Sequence, residues 1–115
     1  MIATPPPPPA RVQVVAREFR LSLSRVHVKA GKAVVELVNM GEDAHDLKLR
    51  RKGTWKVVSF PTTAAGGHVD RDMRLTPGTY LLWCSLPGHR ALGMQAVLQV
   101  EGKKRRRARP RRARR

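Results

Sequence analysis

Residues 79–100 read TYLLWCSLPGHRALGMQAVLQV. Two runs rich in β-branched and aromatic residues, 79–83 and 96–100, enclose a loop that opens on Cys84 and closes on Met94. Both runs have strand length, and the loop between them carries turn chemistry at Pro87-Gly88 and again at Gly93. The loop also has the spacing C-x4-H-x4-M through Cys84, His89 and Met94. Closed by two strands, a loop of this size can turn a thiolate, an imidazole and a thioether toward one point.

Working outward, the rest of the body reads as strands too. Val12, Val14 and Ala16 alternate with Gln13, Val15 and Arg17, and Phe19, Leu21 and Leu23 with Arg20, Ser22 and Ser24. Residues 33–38 are a short Val-rich run. Leu47 and Leu49 alternate with Lys48 and Arg50; Val57, Val58 and Phe60 precede Pro61; Met73 and Leu75 alternate with Asp72, Arg74 and Thr76. Turn signals separate these runs at Gly31, Asn39-Met40-Gly41, Lys52-Gly53, Gly66-Gly67 and Pro77-Gly78. A sustained 3.6-residue apolar period is missing, so the pattern predicts about eight short strands in an all-β antiparallel sandwich or barrel. His27, beside Lys29, and His68, after Gly66-Gly67, read as solvated histidines.

The ends differ from the body. Of the 115 residues, 24 are Lys or Arg and 8 are Asp or Glu, but residues 102–115 alone hold ten of the cations. Residues 11–101 carry fourteen basic and eight acidic side chains, a net of +6 against +16 for the whole chain. The division that follows is a Pro-rich linker at 1–10, a domain at 11–101 and an Arg-rich disordered tail at 102–115. Pro5 to Pro9 should form a stiff polyproline II segment, of the kind that follows a membrane anchor or cleaved leader. Residues 1–10 have neither the basic start nor the apolar run of a secretory signal. A single Cys excludes an internal disulfide and any zinc site needing two or four Cys. Apolar runs stay well short of the roughly 18–20 residues that span a bilayer.

A metal held by Cys84, His89 and Met94 needs a fourth donor, and His45 stands in a turn between two predicted strands. One thiolate, two imidazoles and a thioether form the His2Cys set with a weak axial Met that suits copper in electron transfer. Zinc would accept the Cys and His but gains little from Met. Read singly, the same residues are unremarkable: a buried small Cys, a turn His, a core Met. Together they are not.

At these residues the sequence resembles the cupredoxins, the plastocyanin and azurin family of small blue copper proteins. The resemblance runs over nearly all of residues 11–101. It rests on the turn Asn39-Met40-Gly41 to His45-Asp46, the approach Leu75-Thr76-Pro77-Gly78-Thr79-Tyr80, and Cys84-Ser85-Leu86-Pro87-Gly88-His89 with Gly93-Met94. It implies a Greek-key β-sandwich with one Cu(I)/Cu(II) ion near one end, His45, Cys84 and His89 as strong ligands, and Met94 as the axial one. Departures exist in the Cys-to-His and His-to-Met intervals, and Asp46 stands where Asn is usual. Asp46, Ser85 and Pro87 are the residues expected around the ligands, with Pro87 removing one amide donor near the sulfur. A collar of Met40, Leu86, Pro87 and Leu92 around His89, with Trp83 as a remote second contact, is the partner-docking patch the family implies.

Four protein donors leave no position for substrate, so the expected role is one-electron transfer between redox proteins by a monomer, without catalysis and without a small-molecule substrate. An unpaired Cys and the polyproline lead-in place such a protein in the periplasm or at the cell surface. Two other roles stay open for the same metal: copper carriage or storage, and service as a detached domain of a copper oxidase. The Arg-rich tail adds a reading of another class, binding of nucleic acid, an acidic membrane surface or another polyanion. It lacks the interleaved aromatics of a stacking platform. Arg90, inside the ligand loop, could steer an acidic partner.

Overall fold

The computed structural model describes residues 5–102. Nine strands are found among them: β1 (Ala10–Arg17), β2 (Arg20–Leu23), β3 (His27–Lys29), β4 (Gly31–Asn39), β5 (His45–Arg51), β6 (Val57–Thr63), β7 (His68–Leu75), β8 (Gly78–Trp83) and β9 (Gln95–Glu101). They form two facing sheets, ordered β2-β1-β4-β7 and β3-β9-β8-β5-β6. The all-β sandwich expected from the alternation is the fold observed. Val12, Val14 and Ala16 of β1, Ala33, Val35 and Leu37 of β4, Leu47 and Leu49 of β5, and Leu82 and Leu98 of β8 and β9 fill the space between the sheets. Residues 5–9 are exposed and outside any strand. The expectations for residues 1–4 and for 103–115 lie outside the described residues.

Two points correct the sequence reading. The sheets are mixed: β1 pairs parallel with β4, from Ala10↔Ala33 to Ala16↔Asn39, and β3 pairs parallel with β9. Parallel neighbours need a crossover between them, and the chain between β1 and β4 supplies one by visiting the other sheet as β3. The nine strands accord with the expected number of about eight, but β7 begins at His68, which was expected to lie in a loop. Strand β6 runs on through Pro61. It can do so because it is the edge of its sheet, where a missing N–H breaks no ladder bond.

Strand directions give the sandwich two poles. The 39–45 turn, the 17–20 turn and the 84–94 loop lie at one. The turns at 30–31, 52–56 and 76–78, and the end of β9, lie at the other, as the registers Arg51↔Tyr80 and Gly78↔Val100 show.

A candidate metal centre at one pole

Cys84 follows the last residue of β8, and its amide donates to the Met94 carbonyl at 3.1 Å, closing the loop at its base. Within the loop the His89 amide donates to Leu86 O (3.0 Å), and the Leu92 and Met94 amides donate to Gly88 O and His89 O (3.1 Å each). Such a self-bonded loop is a rigid frame. At Gly93 (φ 125°) a Cβ would meet the Phe19 carbonyl oxygen at 2.7 Å, so the 17–20 turn packs directly on the loop.

His45 opens β5. Its register with β6 is irregular: His45 faces Thr63 and Leu47 faces Phe60, so two steps on β5 match three on β6. An irregularity of this kind re-aims side chains, and here His45, Asp46 and Leu47 are all buried where strict alternation would expose one. Asn39, also buried, braces the preceding turn. Its side-chain amide donates to Asp43 O (2.8 Å) and Thr63 O (2.9 Å), and its carbonyl accepts from the Gly41 amide (2.9 Å).

These two loops bring Cys84, His45 and His89 together. The sulfur lies 4.0 Å from His45 Nδ1 and 3.6 Å from His89 Nδ1, and the three donor atoms all lie within 4.8 Å of one another. Metal bonds of about 2.0–2.3 Å to a shared ion separate their donors by roughly this much. Cys84 and His45 are fully buried and His89 half-buried. Met94 is fully buried as well, at the end of the loop and in the core cluster. Burial pushes the Cys84 thiol up, with the Asp46 and Leu86 amides offsetting part of the rise. The site without metal therefore holds a thiol, and an ion must displace that proton to bind.

Of the residues expected around the ligands, Asp46 ties the two loops together: it accepts from the Ser85 amide at 2.7 Å and from the Ser85 hydroxyl at 2.5 Å. Pro87 is exposed. Met40 and Leu92 are 57% and 62% exposed at this pole, and Leu86 is half-buried. Trp83 lies half-buried under the Arg90 guanidinium, 4.7 Å above its ring, beside a depression lined also by Ser85, Pro87 and Gln95. Two further residues emerge that spacing did not single out. Phe19 packs edge-to-face on the His89 ring, 5.3 Å between centroids. Glu18 reaches His45 Nε2 at 2.6 Å and accepts from the amides of Glu42 (2.9 Å) and Asp43 (3.0 Å). Those amides, then the His45 contact, hold the Glu18 carboxyl down at about 2. The sequence carried no signal for Glu18 and Phe19 at the site, since Arg17-Glu18-Phe19-Arg20 lacks the Gly, Asn, Asp or Pro that marks a turn.

No protein-family model matches the chain, and no curated protein matches it in sequence. Solved structures match it in fold. Auracyanin B superposes with a TM-score of 0.70 at 20% identity, over 84% of this chain and 92% of that one. Auracyanin A, a "blue" copper protein from the green thermophilic photosynthetic bacterium Chloroflexus aurantiacus, gives 0.67 at 18% identity, over 82% and 100%. The copper nitrite reductase of Nitrosomonas europaea gives 0.64 at 18% identity, over 84% of this chain but 42% of that one. The sandwich described above is thus the cupredoxin fold, as the resemblance implied.

Proposed function

We propose that this chain binds one copper ion through His45, Cys84, His89 and Met94 and carries single electrons between redox proteins. The observation that carries the reading is the meeting of one thiolate and two imidazoles from separate loops, two of the three fully buried, inside a copper-protein fold. A bound copper ion supplies a Cu(I)/Cu(II) couple. The chain supplies the rest. Burial keeps water from the sulfur, and the hydrogen-bonded loop holds donor positions that need not rearrange when the charge changes. His89 is the half-buried member of the set, so a partner approaching over Phe19, Met40 and Leu92 comes nearest the site there.

With four protein donors the site has no room for substrate, and we read the chain as a carrier, not an enzyme. The likeness to a copper nitrite reductase covers less than half of that protein, which leaves the domain-of-an-oxidase reading as the alternative. A free Cys shielded by metal suits a periplasmic or surface setting. The cationic segment 103–115, which follows β9 in the sequence, would supply any contact with a polyanion.

The test is addition of Cu(II) to the full chain, with visible and EPR spectra and voltammetry. One Cu(II) per chain, an intense thiolate-to-copper band and a reversible one-electron wave are expected. Colourless binding of Cu(I) alone would indicate a carrier or store of copper. No binding would end the reading.

A further inference from the structure

The turn between β1 and β2 belongs to the sheet opposite β5, yet it is wedged between both ligand loops. On one side Phe19 lies against His89, with its carbonyl against Gly93. On the other, the Glu18 carboxylate takes three donors: the amides of Glu42 and Asp43 and Nε2 of His45. Gly41 leaves the space it occupies, since a Cβ there would come within 2.8 Å of Oε1 and closer still to Oε2. Two backbone amides fix the orientation of the carboxylate, so it presents an acceptor to a ring that is itself wholly enclosed. The Glu18 side chain is 23% exposed, which limits the solvent competing for that contact.

A carboxylate only accepts, so the proton of the neutral ring sits on Nε2 and the lone pair of Nδ1 faces the Cys84 sulfur. We infer that Glu18 is a positioning residue: it fixes the tautomer and orientation of His45, and it sets a negative charge one imidazole away from the metal position. Its effect on a bound ion rests on the copper reading above; its effect on the ring does not. A negative charge at this distance stabilises Cu(II) more than Cu(I) by Coulomb attraction.

The experiment uses the full chain with 15N-labelled histidine, and the variants Glu18→Gln and Glu18→Ala. Long-range 1H–15N NMR of the metal-free protein should show His45 as a single Nε2–H tautomer. Glu18→Gln keeps an acceptor but removes the charge: the tautomer should hold, while the copper-loaded form shifts about tenfold toward Cu(I), a rise of about 59 mV for one electron. Glu18→Ala removes both, so the tautomers should mix. An Nδ1–H tautomer in the parent chain, or an unaltered ring in Glu18→Ala, would overturn the positioning role. An unmoved potential in Glu18→Gln would overturn the role of the charge. Should the chain take up no copper, the function proposed above fails on its own, and the metal-free spectra still decide whether Glu18 sets the ring.

Discussion

The two poles of the sandwich are closed in different ways. At the metal pole lie all four buried polar side chains of the described residues, Asn39, His45, Asp46 and Thr63. Two of them brace loops by named bonds, Asn39 across the 39–45 turn and Asp46 to Ser85, and the partly exposed Glu18 adds a bond to His45. At the other pole the 52–56 turn is a hairpin connection, and the turns at 30–31 and 76–78 carry the chain from one sheet to the other. Its turns are tied by the Tyr80 hydroxyl, which accepts from the Thr76 amide at 3.0 Å, by the Thr54 hydroxyl, which donates to Arg51 O at 2.8 Å, and by the Arg50 and Arg51 guanidinium groups, which donate to Thr54 O and Pro77 O at 3.2 Å each. Trp55 stands 94% exposed in the loop between β5 and β6. Burying polar groups without partners is unfavourable by a few kcal/mol each. A chain that gathers four at one end, all within reach of partners, has ordered that end for more than closing a core. The apolar middle makes the fold, and the pole of the candidate metal centre uses the rigidity of that fold to hold Cys84, His45 and His89 near one another.

The sharpest way to break the comparison is Cys84→Ser. It removes the thiolate from the metal pole and should abolish the intense copper band entirely, while a substitution at the far pole leaves it intact. Retention of the band in Cys84→Ser would mean that the sulfur is not a ligand. Next in size is Asp46→Ala, which leaves the Ser85 amide and hydroxyl without their buried acceptor. Loss of a hydrogen-bonded carboxylate of this kind lowers stability by about 1–3 kcal/mol, read from the urea midpoint of the metal-free protein. A change below about 0.5 kcal/mol would show that the two loops hold together without it.

How much of this was legible follows from the range of each signal. Alternation is local, so Val12, Val14 and Ala16 announced β1 and its buried face, and the compact 84–94 loop announced three of the four candidate donors. Pairing partners are not local. Nothing in residues 10–17 shows that they will lie parallel to residues 33–39, because that depends on where the intervening chain crosses. The burial of both His45 and Asp46 was likewise hidden, since it arises from an extra residue on β6, not from anything in β5. Glu18 was the least legible of all. It lies 27 residues from His45, with no spacing rule between them, and only the turn wedged between the loops joins the two.

Acid should separate the poles as well. Glu18 is held down at about 2 in the folded chain, against an ordinary value near 4.5. For a depressed carboxyl the stabilisation is fully present above the unfolded value and is lost as pH falls through the folded one. The metal-free protein should therefore weaken between pH 4.5 and about 2, and Glu18→Gln should weaken less over that window. Equal slopes in denaturant titrations of the two would show that the contact with the 39–45 turn contributes nothing.

The smallest effect expected is at the far pole, and it is the control that gives the others their meaning. Trp55 is almost wholly exposed, so Trp55→Ala removes little buried area and strands no hydrogen bond. Exposed substitutions of this kind shift stability by no more than about 0.5 kcal/mol. The copper band and the potential should not move, because nothing rigid need transmit a change from the 52–56 loop past the core to the ligands. A large loss of stability would mean that this loop takes part in closing the sandwich. A shifted potential would mean that the poles are coupled through the β5 strand they share, and the division of labour argued from burial would have to be given up.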